Sequence, residues 1–414
     1  MIQAGDTAFI LVSAALVLLM TPGLALFYGG MVRGKNVLGT AMQSFFMIAL
    51  VSMEWVALGY SMSFGPDLAG LTGNLAWAGL AGVGAAPNPD YAATIPHALF
   101  MIYQCMFAVI TPALITGAFA ERVRFAPFLA FSLLWAVLVY NPVCHWVWGA
   151  GGWLKQLGVV DFAGGLVVHL TCGAAALAAV LVIGPRKDYG RRQFFPHNLP
   201  MTLLGTGLLW FGWFGFNGGS ALAADGVAVT AFVATHMGGM AGMFMWTVVE
   251  WRHRGKPTTL GAASGAVAGL ATITPAAGFV TAPAAIVIGL VAGAACYLGV
   301  LAKSRLGYDD SLDVVGIHGL GGLTGTLLAG LFATKAVNAG GVDGLFYGNA
   351  AQFGVQALGV LAVGAYALVM SFALLKLVDA VMGLRLHPDA ESQGLDQAEH
   401  TETAYSDSLD IGSR

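Results

Sequence analysis

Eleven runs of apolar residues, each near twenty residues long, follow one another through this chain. They fall at about 8–30, 38–64, 97–119, 126–148, 162–184, 199–216, 227–250, 258–274, 282–302, 315–333 and 353–378. A helix needs about 20 apolar residues to cross a hydrocarbon core about 30 Å thick. A spanning chain must also satisfy its backbone internally, which leaves helices or a closed barrel. Continuous runs of this length fit helices rather than the alternating, roughly ten-residue strands of a barrel. Charged residues make up 9% of the chain and hydrophobic ones 57%, whereas a soluble domain carries about 25% charged residues. The expected fold is an all-α integral membrane protein with eleven transmembrane helices, multi-pass in the inner or plasma membrane.

Charge placement orients it. Of the eighteen Lys and Arg residues, sixteen fall on one side: Arg33, Lys35, Arg122, Arg124, Arg186, Lys187, Arg191, Arg192, Arg252, Arg254, Lys256, Lys303, Arg305, Lys376, Arg385 and Arg414. Only Lys155 and Lys335 fall on the other. The positive-inside bias puts the N-terminus out and the C-terminus in. The N-terminal MIQAGDTAFIL has no basic stretch and leads straight into the first run, so it reads as a spanning helix rather than a cleaved signal. Residues 1–382 are expected to form the membrane domain. Residues 383–414 form an acidic cytoplasmic tail whose composition suits a partly ordered interaction element.

Weak internal symmetry runs through the spans. GLALFYGG (Gly23–Gly30) is similar to LWFGWFGFNGG (Leu209–Gly219), and ITPALITG (Ile110–Gly117) to ITPAAG (Ile273–Gly278). The offset is five helices. An odd offset makes the second copy enter from the opposite side, giving a 5+5 inverted repeat (about 8–184 and 199–333) plus one extra helix at about 353–378. Such repeats place the substrate path at their interface. Glycines recur every fourth residue at Gly261, Gly265 and Gly269, at Gly289 and Gly293, and at Gly321 and Gly325, the spacing of close helix packing in lipid.

Ionisable side chains are costly in hydrocarbon and mark functional sites by default. DFAGGLVVHL (Asp161–Leu170) and DVVGIHG (Asp313–Gly319) each place an acid ahead of a histidine in corresponding spans of the two halves. At helical rise, His169 lies roughly 12 Å in from Asp161 and His318 roughly 8 Å in from Asp313, so both rings reach the middle of the membrane. Histidines bonding neighbouring backbones are the alternative; the symmetric placement favours a pore-lining pair able to share a proton. Asp313 reads as a helix N-cap. Asp161 reads either as a cap or as a carboxylate favouring a cation at the outer mouth. Glu54 reads as a buried, hydrogen-bonded structural acid and His236 as a side chain bonded to a neighbouring helix. The cysteines Cys105, Cys144, Cys172 and Cys296 are widely spaced, and neither a disulfide nor a metal site is expected; no cofactor is indicated.

Together with GWFGFNGGS (Gly212–Ser220), DDSLDVVGIHG (Asp309–Gly319), ITGAFAERVRF (Ile115–Phe125), HNLP (His197–Pro200) and the tail residues GLD, AEH and AY between Gly394 and Tyr405, these motifs resemble the ammonium transporter family (Amt/Mep/Rh), its Amt branch more than the Rhesus proteins. The resemblance implies roles residue by residue. His169 and His318 would be the twin histidines of a hydrophobic pore. Trp148, Phe107 and Ser220 would form the outer recruitment site, with Tyr103 where relatives often carry Phe. Phe107 and Phe216 would stack as a phenyl gate. It also implies ammonium or ammonia as cargo, methylammonium as a further candidate, a lipid environment, a homotrimer, and a PII-type regulatory protein at the cytoplasmic face. Thr401 stands where relatives carry Gly in the tail. An ammonium sensor with slow transport is the alternative function. An intramembrane enzyme would need a nucleophile–base or metal-ligand constellation, and the chain offers none.

Overall fold

Ten helices in the computed structural model are long and apolar enough to cross a membrane, and a shorter eleventh lies in the eighth apolar run. The structure describes residues 1–405; the last part of the expected tail, with Arg414, lies outside the described residues. In chain order the spans are α1 (Ala4–Met31), α2 (Gly34–Phe64), α3 (His97–Phe119), α4 (residues 125–148), α5 (Gly165–Ile183), α6 (Leu199–Ala221), α7 (Gly226–Arg254), α8 (Thr259–Ile273), α9 (Ala282–Leu306), α10 (Val315–Phe332) and α11 (Ala350–Met382). The 15 residues of α8 rise only about 22 Å. Below it the chain continues as buried turns, and the Pro275 carbonyl accepts the Phe162 amide at 3.0 Å. Irregular backbone is tolerable at membrane depth because it is buried in protein.

Exposed Leu11, Met53, Phe244 and Leu361 face outward, as a lipid-contacting surface requires. Packing within uses the glycines. A Cβ on Gly269 would lie 2.3 Å from the Gly238 carbonyl oxygen of α7, and one on Gly265 2.5 Å from Trp246 Cβ. Neither side chain could be accommodated without the helices separating.

The two halves meet where α5 crosses α10. A Cβ on Gly173 would fall 2.1 Å from Gly319 Cα, and one on Gly322 2.4 Å from the Gly165 carbonyl. Going up α10 from 319 to 322 therefore means going back along α5 from 173 to 165, so the two helices are antiparallel, as an inverted repeat demands. Both open with a π-helical turn, Gly165–Leu170 and Val315–Gly319, which carries the histidine.

The tail is more ordered than its composition suggests. Residues 384–386 run beside 122–124, with Arg124 N donating to Leu384 O (2.9 Å) and Leu386 N to Arg122 O (3.0 Å). Two short helices follow, α12 (Pro388–Gln393) and α13 (Leu395–His400). Their acids cap backbone amides of the membrane domain: Glu391 takes Lys187 N at 2.6 Å, Asp396 takes Gly39 N at 2.8 Å, and Glu399 takes Phe125 N at 2.7 Å. The acidic character serves hydrogen bonding to backbone amides, at the starts of α2 and α4 and in the loop after α5. Thr401 sits at φ +55°, a left-handed C-cap position that Gly fills without steric cost.

Candidate functional site

A cavity of about 370 Å³ opens on the face that carries Lys155. Trp148, Phe107, Ser220 and Asp161 all line it. The Trp148 indole is fixed by its N–H, which donates to the Asp161 carbonyl at 2.8 Å, and its ring meets Phe107 edge-on at 5.9 Å. Beneath, Phe107 and Phe216 lie 4.3 Å apart, ring centre to ring centre, tilted by 38°. The Ser220 hydroxyl donates to Phe216 O at 2.8 Å, which leaves its oxygen lone pairs for a donor in the cavity.

Tyr103 does not line the cavity. It is fully buried behind it, and its hydroxyl lies 3.0 Å from Gly215 O, 2.9 Å from Phe216 O and 3.3 Å from Ser220 Oγ. The hydroxyl that a Phe would lack ties down the π-helical turn Phe214–Gly218 carrying the Phe216 ring. A residue the motif reading passed over does line the cavity: Gln104, whose Oε1 is buried without a partner among the described residues. Its position one turn before Phe107 on α3 was the available signal.

Below the phenyl pair the path narrows to a cavity of about 10 Å³, about one water-sized sphere. Its wall is apolar (Leu24, Phe27, Ile110, Leu114) except for His169 and His318. The two imidazoles stack at 5.2 Å and 18°, with Nδ1 facing Nδ1 at 3.2 Å. Trp213 stacks on His169 at 5.6 Å. A single hydrogen fits between the two Nδ1 atoms. The ring that donates it has an acceptor at Nε2, and the ring that accepts it has an N–H there. The pair thus presents one acceptor and one donor to the passage, and His169 Nε2 has no protein partner among the described residues.

Each histidine is set by the start of its helix. Asp161 Oδ1 accepts from Gly164 N (2.8 Å) and Gly165 N (2.7 Å), and Oδ2 from Leu166 N (2.7 Å) and Val167 N (3.2 Å), satisfying the orphan amides of the first turn. Burial pushes this carboxyl above the usual range while the four amides pull it down. In the second half the cap is not Asp313 but Asp310, whose Oδ2 accepts Val315 N at 2.8 Å. This corrects the sequence expectation. The matching frame is an acid, then eight residues on a histidine: Asp161 to His169 and Asp310 to His318. In both, the third residue after the acid has positive φ, Gly164 at +123° and Asp313 at +65°. Asp313 occupies the turn, and its carboxylate pairs with Lys303.

At the far end, about 200 Å³ opens beside Arg33, Glu121, Arg186, Lys303 and Asp313. Arg33 and Arg186 both reach Glu121 (2.8 and 3.4 Å), and Arg186 also pairs with Asp309 at 2.8 Å. Both guanidinium groups lie against the Phe194 ring, Arg33 at 4.7 Å and Arg186 at 4.4 Å from its centre. Burial alone would raise the Glu121 and Asp309 carboxyls, but the arginines hold both below the usual range. Composition registered these arginines only as topology signals; Glu121 and Asp309, acids in otherwise basic loops, were the clue to an ion cluster.

Glu54 is buried and accepts from Asn141 Nδ2 at 2.8 Å, in keeping with a structural acid. His236 is exposed beside Trp210 and Phe214 and takes no part in the passage. The four cysteines are buried and unpaired with one another, and no group of three or more His, Cys, Asp or Glu side chains among the described residues could hold a metal ion.

Residues 8–405 match the family model described as Ammonium Transporter Family. The chain is 55% identical to the ammonium transporter of Bacillus subtilis over 98% of its own length and all of that protein. It is 48% identical to the ammonium transporter Amt1 of Archaeoglobus fulgidus, covering 97% of this chain and 99% of the other. Among solved structures, Saccharomyces cerevisiae Mep2 superposes with a TM-score of 0.89 at 39% identity, over 94% of this chain and 88% of Mep2. A sensor Amt protein superposes with a TM-score of 0.87 at 29% identity, over 96% and 98%. This chain, from its stacked phenyl pair to its docked tail, belongs to the ammonium transporter family.

Proposed function

We propose that the protein conducts ammonium or ammonia across the membrane, recruiting the cation in the outer cavity and passing it, stripped of a proton, along the histidine-lined passage. The observation that carries this reading is an unbroken file of rings, Trp148, Phe107, Phe216, His169 and His318, leading from a wide cavity into a space for one small molecule. A cation over aromatic faces gains about 0.5–2 kcal/mol, and Ser220 Oγ and Gln104 Oε1 supply acceptors for its N–H groups. K⁺ has no N–H to direct at them. An apolar constriction too narrow for a hydration shell rejects any ion that cannot neutralise itself, whereas ammonium can leave a proton behind. The imidazole pair then offers the neutral molecule one donor and one acceptor.

The same reading puts the N-terminus and the Trp148 cavity outside, the ion cluster and docked tail inside, three copies together as a homotrimer, and a PII-type protein at the inner face. Likeness to a sensor Amt protein supports a second reading, an ammonium sensor with slow transport. The discriminating experiment is current from purified protein in liposomes on a solid-supported membrane, after pulses of ammonium, K⁺ or Na⁺. The transport reading expects ammonium-specific uptake, read as current where the released proton also crosses and as ammonia entry in a pH-based flux assay where it stays outside, and abolished or made K⁺-permeable in a His169→Ala/His318→Ala double variant. Ammonium binding without current, and without ammonia entry in a pH-based flux assay, would establish the sensor instead.

A further inference from the structure

Within the outer cavity stands a positive charge that recruitment of a cation does not need. Lys155 lines the cavity, and its Nζ donates to the Trp148 carbonyl at 3.0 Å. That carbonyl ends α4, where unpaired C=O groups form the negative pole of the helix. Nζ also stands 6.0 Å from the centre of the Tyr91 ring. Tyr91 is held in place: its hydroxyl donates to Phe64 O at 2.6 Å and accepts from Ala150 N at 3.0 Å. Asp90 lines the same cavity. A carbonyl, a fixed aromatic face and a carboxylate are what a small N–H-bearing cation would choose; the tethered alkylammonium bonds the first, stands over the second and shares its cavity with the third. The lysine is aimed, too. It sits on a helical turn, Trp153–Gln156, whose ends are tied by Trp153 N to Gly70 O (3.2 Å) and Gln156 Nε2 to Gly151 O (2.9 Å).

We propose that Lys155 is a built-in competitor of the transported cation: it occupies an outer cation subsite formed by the Trp148 carbonyl, the Tyr91 ring and Asp90, and so sets the affinity of the outer cavity for ammonium. The inference rests on the transport reading and adds to it a second, more external subsite. The two subsites share Trp148, whose indole faces the inner one and whose carbonyl holds the lysine, so an ammonium ion above Phe107 meets the repulsion of Nζ across that one residue. Removing the charge both relieves that repulsion and opens the outer subsite. A lysine that only caps α4 would do neither.

The experiment measures ammonium current against concentration for the parent, Lys155→Gln, Lys155→Met and Lys155→Arg, with ammonium binding to the same preparations followed by calorimetry. The half-saturating concentration should fall by about threefold to tenfold in the Gln and Met variants, the order given by two unit charges within ~10 Å in a partly hydrated cavity. Maximal current should hold, and Arg should stay near the parent. A capping role instead lowers the melting temperature of Gln and Met with half-saturation unmoved, and that result overturns the proposal, as does a rise in half-saturation. If the parent transports ammonium while the variants do not shift, only this inference falls. If the parent neither transports nor binds ammonium, the transport reading falls and takes this inference with it.

Discussion

The starts of α5 and α10 are the same device built twice, with different finishing. Each has an acid that caps the helix, a positive-φ residue three positions on, a π-helical turn, and a histidine eight positions on. At α5 the acid takes four amides and no cation, and the positive-φ residue is a glycine. At α10 the acid takes Val315 N, leaves Oδ1 unpaired among the described residues, and is followed by an aspartate in the strained position, paired with Lys303. The shared frame fixes where the imidazoles meet. The differences lie in how each acid is balanced: Asp161 is met by backbone amides alone, whereas Asp310 lies beside Lys303.

The comparison breaks first at the caps. Asp161→Ala leaves four buried amides unpaired and should cost about 3–5 kcal/mol, with loss of transport. Asp310→Ala should cost about 1–2 kcal/mol. Equal falls in melting temperature would mean the two caps are equivalent after all. Next comes the crossing. Gly173→Ala drives a methyl to 2.1 Å from Gly319 Cα, whereas Gly319→Ala places one 3.2 Å from Gly173 Cα. The first should cost about 2–3 kcal/mol and most of the current, the second well under half as much. Ammonium currents from the two variants side by side check the order.

The two caps also differ in titration. Burial pushes Asp310 up to about 6 despite Lys303 nearby. A carboxyl with a raised folded-state pKa binds its proton more tightly folded than unfolded. Its contribution is therefore present at low pH and lost as pH rises from about 4 to about 6. Asp310→Asn removes that loss and should be more stable than the parent above pH 6 by on the order of 1–3 kcal/mol, with the advantage gone at pH 4; thermal unfolding at pH 4, 5, 6 and 7 reads it. The smallest effect sharpens the frame itself. Asp313→Gly gives α10 the residue α5 uses, exchanging relief of about 1 kcal/mol of backbone strain for loss of the Lys303 pair. Stability should stay within about 1 kcal/mol of the parent, while Asp313→Ala, which keeps the strain and loses the pair, should fall below both.

Much of this was legible before any coordinates. Apolar run length reports the spans because a bilayer has one thickness, and histidine depth follows from helical rise. What escaped has physical causes. Depth along a helix says nothing about azimuth, so Tyr103 could be placed at the level of the outer site but not behind it, and Gln104 on the cavity wall went unnoticed. Asp313 drew attention as a cap because Gly, the usual sign of a positive-φ turn, was absent; spacing to the histidine, eight in both halves, was the better guide. The tail's composition suggested partial order because acidity reads as solvation, while Glu391, Asp396 and Glu399 in fact spend their charge on backbone amides. Contacts between distant loops, such as Arg33 with Glu121 and Arg186 with Asp309, leave only an acid in an otherwise basic loop as their local trace.

The passage beside the histidines has room for about one small molecule. Nothing can overtake there. On the proposed transport route, traffic in the two directions shares a single lane, so labelled cargo should exchange across the membrane more slowly than its net flow implies, and water gets through only by taking a place in the queue.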